Sequence, residues 1–515
     1  MKKREHFLFA MLLLALSASA QTVNVDFTFG SSGRISMLFG ANGLGSTLTD
    51  TTTLANLKGI GFSHTRVAAD LSAIFANPGD PNYSTVNFSV RHALAAGLRV
   101  LLVVEYVPAR DQPSLNPCPL TPNRAAPDTA EKLRDYANLA AVLVHHLNTN
   151  YPGAVIDYEI WNEPDSAPGI CAGSGPPYNG SQPAAYQAVY QYLAPAIKNQ
   201  AASDGLSVSV GGPGLASASH GSAWIRPLLS NSNTKNHVDF VSYHEYVAGP
   251  TQIADNYSWI VDGANPSLWT MTQSSTSGVA AHYAKVASLV AAGGQPNPSS
   301  TPIYVTEYNN NYAFAQDNYR NSPGYAQVWN AVAIADYVDV TYAGFNGPAK
   351  LFYFRSRAAN SSGPPYFCLV GQINTNMDCN SSAVTPYPQY YLYEMLSVMG
   401  FQGAEQPGAL SPSHTTAGID AAAWLADPDG PSPRYEVLIV NPEPSSATVQ
   451  VNLTALFGQV INSNGLVWNI TGPPGQESVT SFATSWTQTS AFFGPWTTTV
   501  QVPPLTVYGV EAQVQ

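Results

Sequence analysis

Between residues 35 and 400 the sequence alternates short apolar runs, rich in β-forming residues, with longer stretches of helical period. Eight runs are candidate strands, at residues 35–42, 63–67, 99–106, 154–163, 207–212, 238–246, 302–308 and 349–354. The clearest helical stretches are residues 128–149, 183–201, 279–292 and 323–338. Near-continuous apolar strands that alternate with helices are typical of parallel strands buried on both faces. Eight such units predict an α/β fold, a (β/α)8 TIM barrel with insertions.

An open, doubly wound sheet is the competing arrangement of such units. It would usually carry a glycine-rich phosphate-binding turn after its first strand. The glycines in FGANGLG (residues 39–45) do not have the GxGxxG spacing. No suitable acidic residue follows about twenty positions later. The sequence therefore favours the barrel over a dinucleotide-binding fold.

The sequence pattern changes after residue 400. Residues 401–515 contain short β-rich runs separated by Pro, Gly and Asp turns, which is typical of an appended all-β sandwich. Near the other end, TVNVDFTFG (residues 22–30) alternates apolar with polar residues and precedes the first barrel strand. We therefore expect residues 33–400 to form the barrel, residues 401–515 the sandwich, and residues 21–32 a strand that joins the sandwich.

Residues 1–20 have the three parts of a secretory signal peptide. A basic head (KKR, residues 2–4) precedes an apolar stretch (residues 7–16) and a small-residue cleavage site (ASA, residues 18–20). The apolar stretch is too short to span a bilayer, and no later segment reaches the required length. We expect cleavage before Gln21 and a protein that is secreted or periplasmic.

The four cysteines are Cys118, Cys171, Cys368 and Cys379, and none has the CxxC spacing of a zinc site. An even number of cysteines in an exported chain suggests disulfide bonds. Cys368 and Cys379 flank one loop and form the favoured local pair, which would leave Cys118 with Cys171. Four cysteines allow three pairings, so the connectivity stays open at this point.

The charge balance limits the class of partner. Loss of residues 1–20 leaves 18 Lys and Arg against 32 Asp and Glu, a net charge of −14. The sequence has no basic run, so nucleic acid and anionic membrane surfaces are poor partners. A neutral substrate such as a polysaccharide fits this surface better. Nothing in the sequence indicates the oligomeric state.

In a barrel of this kind, functional side chains lie at the carboxyl ends of the strands. The candidates at these positions are Asn42, Arg66, Glu105, Asn162, Glu163, His244, Tyr246 and Glu307. Hydrolysis of a glycosidic bond needs two carboxylates on opposite sides of the strand ring, and Glu163 and Glu307 are placed for this. One must protonate the departing oxygen, while the other attacks or supports the anomeric carbon.

At these positions the chain resembles the clan A glycoside hydrolases. Trp161-Asn162-Glu163-Pro164 is similar to their fourth-strand motif, and Thr306-Glu307-Tyr308 to their seventh-strand segment. His244-Glu245-Tyr246 resembles the His-x-Tyr of the sixth strand, and Arg66 matches the arginine of the second. Within the clan, the segments GGPG, SAWIRPLL and HVDFVSYHEY are most similar to glycoside hydrolase family 39, whose members include β-xylosidases. The eighth strand departs from the pattern, since Tyr353 and Phe354 lie where many clan members have a Trp.

The resemblance implies retention through a covalent glycosyl-enzyme, without a metal or cofactor. Glu307 would be the nucleophile, kept ionised by Arg66 and a hydrogen bond from Tyr246. Glu163 would be the acid/base, and a raised pKa is expected for it. Asn162 would bind the 2-hydroxyl of the sugar. Arg66, His244, Tyr246, Asn42, Glu105 and Tyr308 complete the expected substrate-binding set.

These residues also have structural interpretations. Asn-Glu-Pro is compatible with a strand end and a turn, Arg66 and Glu105 with ordinary ion pairs, Asn42 with a turn, and His244 and Tyr246 with the core. In DYEIWNEPDS (residues 157–166), alternation places Asp157, Glu159, Trp161 and Glu163 on one face. Asp157 and Glu159 lie deeper than Glu163, so we expect hydrogen bonds or ion pairs for them. Asp165, beyond Pro164, is expected in a turn or cap.

The sugar and its linkage stay open, because clan A includes β-xylosidases, β-glucosidases, β-glucuronidases, α-L-arabinofuranosidases and endo-glycanases. A non-catalytic carbohydrate-binding barrel is the second hypothesis, and the presence of both glutamates argues against it. A metal-dependent hydrolase is the third. His220, His237, His244 and His282 show no HxH or other paired-ligand spacing, which argues against that class.

Overall fold

Eight parallel strands close into a barrel. This computed structural model describes residues 20–43, 51–248, 279–311, 325–342, 345–354, 369–371, 385–411, 419–442, 445–471, 477–489 and 494–515. The barrel follows an N-terminal strand, β1 (Gln21–Arg34). Its strands are β2 (Leu38–Gly43), β3 (Phe62–Asp70), β4 (Arg99–Glu105), β5 (Val155–Ile160), β6 (Ser209–Leu215), β7 (Phe240–Ala248), β8 (Ile303–Asn311) and β9 (Lys350–Tyr353). Each overlaps one of the eight predicted runs, so the predicted fold class is confirmed.

Helices connect consecutive barrel strands and cover the outside of the ring. Those of the described residues are α1 (Thr51–Gly59), α2 (Leu71–Ile74), α3 (Ser84–Ala95), α4 (Ala130–Asn150), α5 (Gln182–Ser203), α6 (Gly221–Ser230), α7 (Val279–Ala291), α8 (Tyr325–Val338) and α9 (Pro388–Val398). The four helical stretches predicted from the sequence correspond to α4, α5, α7 and α8. Their bounds agree with the prediction to within two residues at each end.

Helix α4 shows how the local sequence determines an element. Its buried residues recur every three or four positions and turn one stripe towards the core, namely Leu133, Tyr136, Ala140, Leu143 and Leu147. Asp128, followed three residues later by Glu131, predicts an N-cap at Asp128, and this is wrong by one residue. The side chain of Thr129 accepts the hydrogen bond from the backbone N–H of Lys132, at 3.2 Å. Asp128 instead contacts the ammonium group of Lys132, at 2.9 Å.

The barrel interior changes from apolar to polar along the strands. Leu101, Val103, Phe240, Tyr304 and Phe352 form a small apolar cluster inside the ring. Asp157 accepts a hydrogen bond from the Tyr304 hydroxyl at 3.3 Å and forms a buried ion pair with Lys350. The predicted structural role of Asp157 is thereby confirmed. Further along, the inward side chains become those of the candidate site.

The C-terminal strands form the second domain. The longer of them are β10 (Glu405–Ser411), β11 (Asp420–Ala426), β12 (Arg434–Asn441), β13 (Ala447–Thr454), β14 (Ile461–Thr471), β15 (Ser478–Ser485), β16 (Trp496–Val502) and β17 (Thr506–Val514). In the sheet, β1 lies between β10 and β13, antiparallel to the former and parallel to the latter. Its inward residues Val23, Val25 and Phe27 are part of the apolar core of this domain.

The two domains pack together through β11, which is buried along its whole length. Ala421 and Ala423 face the core of the sandwich, while Ala422 and Trp424 face the large core of the barrel. The indole N–H of Trp424 donates to the carbonyl of Met399, just beyond α9, at 2.9 Å. Burial on both faces explains why this strand is apolar at nearly every position.

Cys118 and Cys171 form a disulfide bond, as one of the possible pairings predicts. It joins two loops on the carboxyl side of the barrel, the one between β4 and α4 and the one between β5 and α5. Cys368 and Cys379 lie outside the described residues, and so does the predicted signal sequence up to residue 19. Within the described part of the chain, no helix is long and apolar enough to cross a membrane.

Candidate active site

Arg66 is the centre of a hydrogen-bonded cluster at the carboxyl ends of the strands. From β3 its guanidinium donates to Glu159 and to Glu307, at 2.7 Å each. It also donates to the side-chain oxygen of Asn162 at 2.7 Å and to that of Asn42 at 3.1 Å. Burial alone would lower the pKa of Arg66, but the charges of Glu159 and Glu307 raise it, so the group stays protonated.

Glu159 connects the cluster to the middle of the barrel. Its side chain is fully buried, and its second oxygen accepts a hydrogen bond from the hydroxyl of Thr306 at 2.8 Å. A buried carboxylate is costly unless it is paired and hydrogen-bonded, and Glu159 meets both conditions. The predicted structural ion pair of Glu159 is therefore confirmed. Arg66 combines the two interpretations given to it, since it is both a structural ion-pair partner and a contact of Glu307.

An irregularity in β8 brings Glu307 into the barrel. The ladder with β7 pairs Tyr243 with Val305 and then His244 with Glu307, so Thr306 is an additional residue. Such a bulge interrupts the alternation of side chains. Thr306 and Glu307 consequently both face the interior, whereas regular alternation would direct only one of them inwards.

The carboxylate of Glu307 is held from several sides. One oxygen accepts from Arg66, and the other accepts from the hydroxyl of Tyr246 at 2.7 Å. Nδ1 of His244 lies 3.6 Å from this second oxygen. Burial and the neighbouring charge of Glu307 raise the pKa of Tyr246 well above its usual value, so Tyr246 is a neutral hydrogen-bond donor.

Glu163 reaches the rim through a change in backbone conformation. Strand β5 ends at Ile160, and both Trp161 and Glu163 have positive φ, 71° and 45°. The expected alternation along DYEIWNE therefore fails after Glu159, and Trp161 packs in the hydrophobic core. The backbone N–H of Glu163 donates to the carbonyl of Gly214 at 2.9 Å, which ties the turn to β6.

The carboxylate of Glu163 lies next to His244. Nδ1 of His244 is 3.0 Å from Glu163 Oε1, and the Glu163 side chain is 31% exposed while that of His244 is buried. Burial raises the pKa of Glu163, but the hydrogen bond and charge of His244 outweigh this and lower it. The expectation of a raised pKa for Glu163 is thus wrong. Burial lowers the pKa of His244, yet Glu307 and Glu163 raise it overall.

Glu163, His244 and Glu307 form one compact group. One polar atom from each lies within 4.8 Å of the others, so the trio could also hold a metal ion. Sequence spacing did not reveal this possibility, because the three residues come from different strands. The expectation that no metal is needed stays a prediction. Among the described residues, Nε2 of His244 has no hydrogen-bond partner.

Glu105, at the end of β4, lies beside this cluster. It is buried, and its Oε2 has no hydrogen-bond partner among the described residues. Burial raises the pKa of Glu105 to about 8, although the charges of Arg66 and Arg124 oppose the shift. The group is therefore mostly a neutral carboxylic acid at neutral pH. It can donate a hydrogen bond, which an ionised carboxylate cannot do.

Tyr308 is not brought into the cluster. It is fully buried in the core, 6.3 Å from the ring of Trp329 and 5.7 Å from that of Tyr353. Phe354 instead reaches the site, with its ring 6.1 Å from that of Tyr246. Of the two residues flagged on the eighth strand, Phe354 is thus the one whose ring lies beside that of Tyr246 in the cluster.

The loop after Glu163 is also fixed. Asp165 accepts a hydrogen bond from the backbone N–H of Ala216 at 2.8 Å, and its other oxygen lies 2.7 Å from His220 Nδ1. Asp165 is therefore a structural residue, as expected, although it joins two loops rather than capping a helix. The sequence did not predict that Thr306 and Gly214 position the two glutamates. Thr306 acts through the bulge in β8 and Gly214 through its contact with the turn at Glu163, and neither feature has a local signal in the sequence.

Several solved structures of glycoside hydrolases resemble this chain. A family 39 enzyme from Xanthomonas axonopodis pv. citri aligns with a TM-score of 0.62 and 15% identity, covering 96% of this chain and 98% of that one. A monomeric β-xylosidase from Caulobacter crescentus CB15 gives 0.59 and 16%, with 96% and 99% covered. A family 30 endoxylanase from Clostridium papyrosolvens C71 gives 0.57 and 15%, with the same coverage. At these identities the likeness shows a shared fold.

The family follows from the sequence itself. The sequence model for the glycosyl hydrolases of family 39 matches residues 126–405, which is more than half of the 515 residues. This segment contains both candidate glutamates and strands β5 to β9. No curated protein matches the chain closely enough to add to this. The chain therefore belongs to glycosyl hydrolase family 39 and is a retaining glycoside hydrolase.

Proposed function

We propose that this protein is an exported glycosidase that cleaves oligo- or polysaccharides of plant or microbial origin by double displacement, with a β-xylosidase-like specificity. The observation that carries this proposal is the approach of Glu163 and Glu307, whose nearest polar atoms lie within 4.8 Å. Inversion needs carboxyl groups about 6.5–9.5 Å apart to admit a water molecule between them and the sugar, whereas retention needs about 5–5.5 Å. The short separation supports attack by one carboxylate on the anomeric carbon.

Glu307 is assigned as the nucleophile. Donors from Arg66 and Tyr246 contact both of its oxygens and hold the carboxylate in place for attack. An oxygen of Glu307 bonds to the anomeric carbon as the bond from that carbon to the leaving oxygen breaks. Arg66 and Tyr246 are the donors of these two hydrogen bonds, and the carboxylate of Glu307 is the acceptor of both.

Glu163 is assigned as the acid/base. It donates its proton to the leaving oxygen in the first step, and in the second it accepts a proton from the water that releases the sugar from Glu307. It is the more exposed of the two, 31% against 11%, as access to the leaving group and water requires. Nδ1 of His244 lies 3.0 Å from its carboxylate, and Glu307 and Glu163 raise the pKa of this imidazole, which favours a proton shared within the pair.

Three further groups are assigned to the sugar. The side-chain amide of Asn162, fixed by Arg66, is available to bind the 2-hydroxyl. Neutral Glu105 can donate to another hydroxyl, and Phe354 offers an apolar face beside Tyr246. The β-xylosidase-like specificity rests on the resemblance to the Caulobacter crescentus enzymes, and the family 30 xylanases leave internal cleavage of xylan as the second candidate.

Export is proposed from two features. Residues 1–20 have the composition of a signal peptide. The disulfide between Cys118 and Cys171 is a bond that persists in oxidising compartments.

The nucleophile is tested with Glu307→Gly on an activated aryl glycoside. The variant should lose turnover, and azide should restore part of it as a glycosyl azide with inverted configuration at the anomeric carbon. Glu405→Gly, at a surface ion pair of the sandwich with Arg34, is the matched control and should retain the wild-type rate. An unaffected rate in Glu307→Gly would remove Glu307 from the mechanism.

The acid/base is tested with Glu163→Ala. The first step should slow strongly for leaving groups of high pKa and little for those of low pKa, because only the former need the proton.

Substrate class is tested with aryl β-xyloside, β-glucoside, β-glucuronide and α-L-arabinofuranoside, followed by product analysis on xylo-oligosaccharides. Preference for a sugar other than xylose would contradict the proposed specificity while leaving the two glutamates in place.

A further inference from the structure

We propose that Asn42 is a positioning residue of this glycosidase, whose side-chain amide fixes the bulge at Thr306 and thereby the direction of attack by Glu307. The inference rests on the proposed role of Glu307 as nucleophile. It gives Asn42 a role different from the sugar contact expected from the sequence. Asn42 is 3% exposed, and both ends of its amide contact protein groups.

The first step of the argument concerns the backbone of β8. Across β7, Val305 pairs with Tyr243 and Glu307 with His244, and across β9, Val305 pairs with Leu351 and Tyr308 with Tyr353. Both ladders thus lose their register around Thr306. An additional residue in a strand leaves its backbone groups without their ladder partners. A bulge at this place needs hydrogen bonds from elsewhere to keep one conformation.

Asn42 supplies such a hydrogen bond. Its Nδ2 donates to the backbone carbonyl of Thr306 at 2.9 Å, from β2 on the far side of β9 in the ring. The neighbouring residue in the chain is Glu307. The orientation of its carboxylate is set by the backbone at Thr306, so a rotation of that peptide would move the carboxylate towards the outer face, where Val305 and Tyr308 are buried in the core.

The amide orientation of Asn42 is determined by Thr306 and Arg66, two of its partners. The carbonyl of Thr306 can only accept, and the guanidinium of Arg66 can only donate. The side chain must therefore present its NH2 group to Thr306 and its oxygen to Arg66, at 3.1 Å. The same Nη1 of Arg66 donates to Glu307 at 2.7 Å. Asn42 thus determines the position of Glu307 both through the backbone and through Arg66.

Asn42→Asp separates these two contacts. The aspartate keeps an oxygen for Arg66 but has no donor for Thr306, and it places a negative charge against the carbonyl. A misplacement of reacting groups by about 1 Å can cost about a hundredfold in rate. We expect kcat to fall by about thirtyfold to a hundredfold in Asn42→Asp and in Asn42→Ala, with little change in KM. Asn42→Gln, which retains both donor and acceptor on a longer chain, should recover part of the rate.

The assay must report on attack by Glu307 and not on folding. Inactivation by an activated 2-deoxy-2-fluoro aryl glycoside of the preferred sugar measures formation of the covalent bond to Glu307, located by mass spectrometry of the labelled peptide. In the Asn42 variants, the rate constant of inactivation should fall by the same factor as kcat. With a series of aryl leaving groups, the loss should be equal for high and low leaving-group pKa, whereas Glu163→Ala should affect mainly the former.

Asn441→Asp is the matched control in the sandwich. Its buried amide also donates to backbone carbonyls, at 3.1 Å to Val502 and 2.9 Å to Pro503. This variant should lower the unfolding temperature and leave the inactivation rate of the folded protein unchanged. The inference is overturned if the Asn42 variants, assayed well below their unfolding temperatures, are labelled at the wild-type rate. It is also overturned if the loss tracks the unfolded fraction.

Failure of the proposed function and failure of the inference about Asn42 give different results with Glu307→Gly and the Asn42 variants. If wild type turns over a glycoside of the panel and Glu307→Gly does not, the nucleophile stands, and the Asn42 variants alone decide the inference. If Glu307→Gly remains fully active, the nucleophile assignment and the inference built on it both fall.

Discussion

Glu105→Gln tests the electrostatics of the site without removing a catalytic group. The pKa of the Glu105 carboxyl is raised from 4.5 to about 8, mainly by burial. In the unfolded chain the Glu105 carboxyl ionises near its ordinary pKa. Between pH 4.5 and about pH 8 the folded protein therefore binds one proton more than the unfolded chain does. The contribution of Glu105 to the free energy of unfolding must therefore fall as the pH rises from about 4.5 to about 8, and it has no further slope outside this window.

The magnitude follows from the size of the shift. One pKa unit corresponds to about 1.36 kcal/mol, so the cost of Glu105 at pH 7 is about 3 kcal/mol and approaches about 5 kcal/mol above pH 8. Glutamine has the shape of the neutral acid and cannot ionise. The stability of Glu105→Gln relative to wild type should thus increase steadily between pH 4.5 and pH 8, even though both proteins titrate at many other positions.

The measurement is chemical unfolding followed by tryptophan fluorescence at several pH values from 4 to 8.5. The quantity to plot is the difference between variant and wild type, in which the other titrating groups cancel. Glu105→Asp is the matched control, because it retains a carboxyl group at the same buried position and should keep most of the wild-type pH dependence. A difference for Glu105→Gln that does not change with pH would refute a raised pKa and the assignment of Glu105 as a neutral donor.

Three further predictions concern stability. Cys118→Ser should lower the free energy of unfolding by about 2–4 kcal/mol, and a reductant should remove the difference from wild type. Thr129→Ala should cost about 1 kcal/mol through loss of the α4 cap, and Asp128→Ala less, with an equal effect contradicting the assigned cap. Lys350→Met should cost about 3–5 kcal/mol by leaving Asp157 buried without its partner, and adding Asp157→Leu should recover much of this in thermal unfolding.

One property of the sequence, the apolar runs of its buried strands, allowed both the barrel and most of the candidate site to be predicted. Strands buried on both faces are near-continuous apolar runs, so their carboxyl ends can be read directly, and Arg66, Glu163 and Glu307 lie at such ends. Alternation then predicts which side chains point inwards only while a strand stays regular. It describes Asp157 and Glu159 correctly and fails at Trp161, where φ becomes positive.

Two features of the site had no local signal in the sequence. The bulge at Thr306 depends on the register with β7 and β9, and nothing within PIYVTEY distinguishes it from a regular strand. The lowered pKa of Glu163 depends on His244, which is 81 residues away in the chain and 3.0 Å away in space. Interactions between strands determine both, so they became visible only with the tertiary structure.

The arrangement around Arg66 explains why a barrel would keep ionic groups in its interior. Replacing a buried ion pair by apolar residues is often neutral or stabilising, so stability alone does not account for Arg66 and Glu159. The directed hydrogen bonds of the guanidinium do account for them. Its donors reach β2 through Asn42, β5 through Glu159, the following turn through Asn162, and β8 through Glu307. A guanidinium is planar and rigid, so these four contacts fix the strand ends relative to one another in a way that apolar packing does not. The apolar cluster deeper in the barrel contributes stability, while Arg66 orients the carboxylate on which the proposed reaction depends.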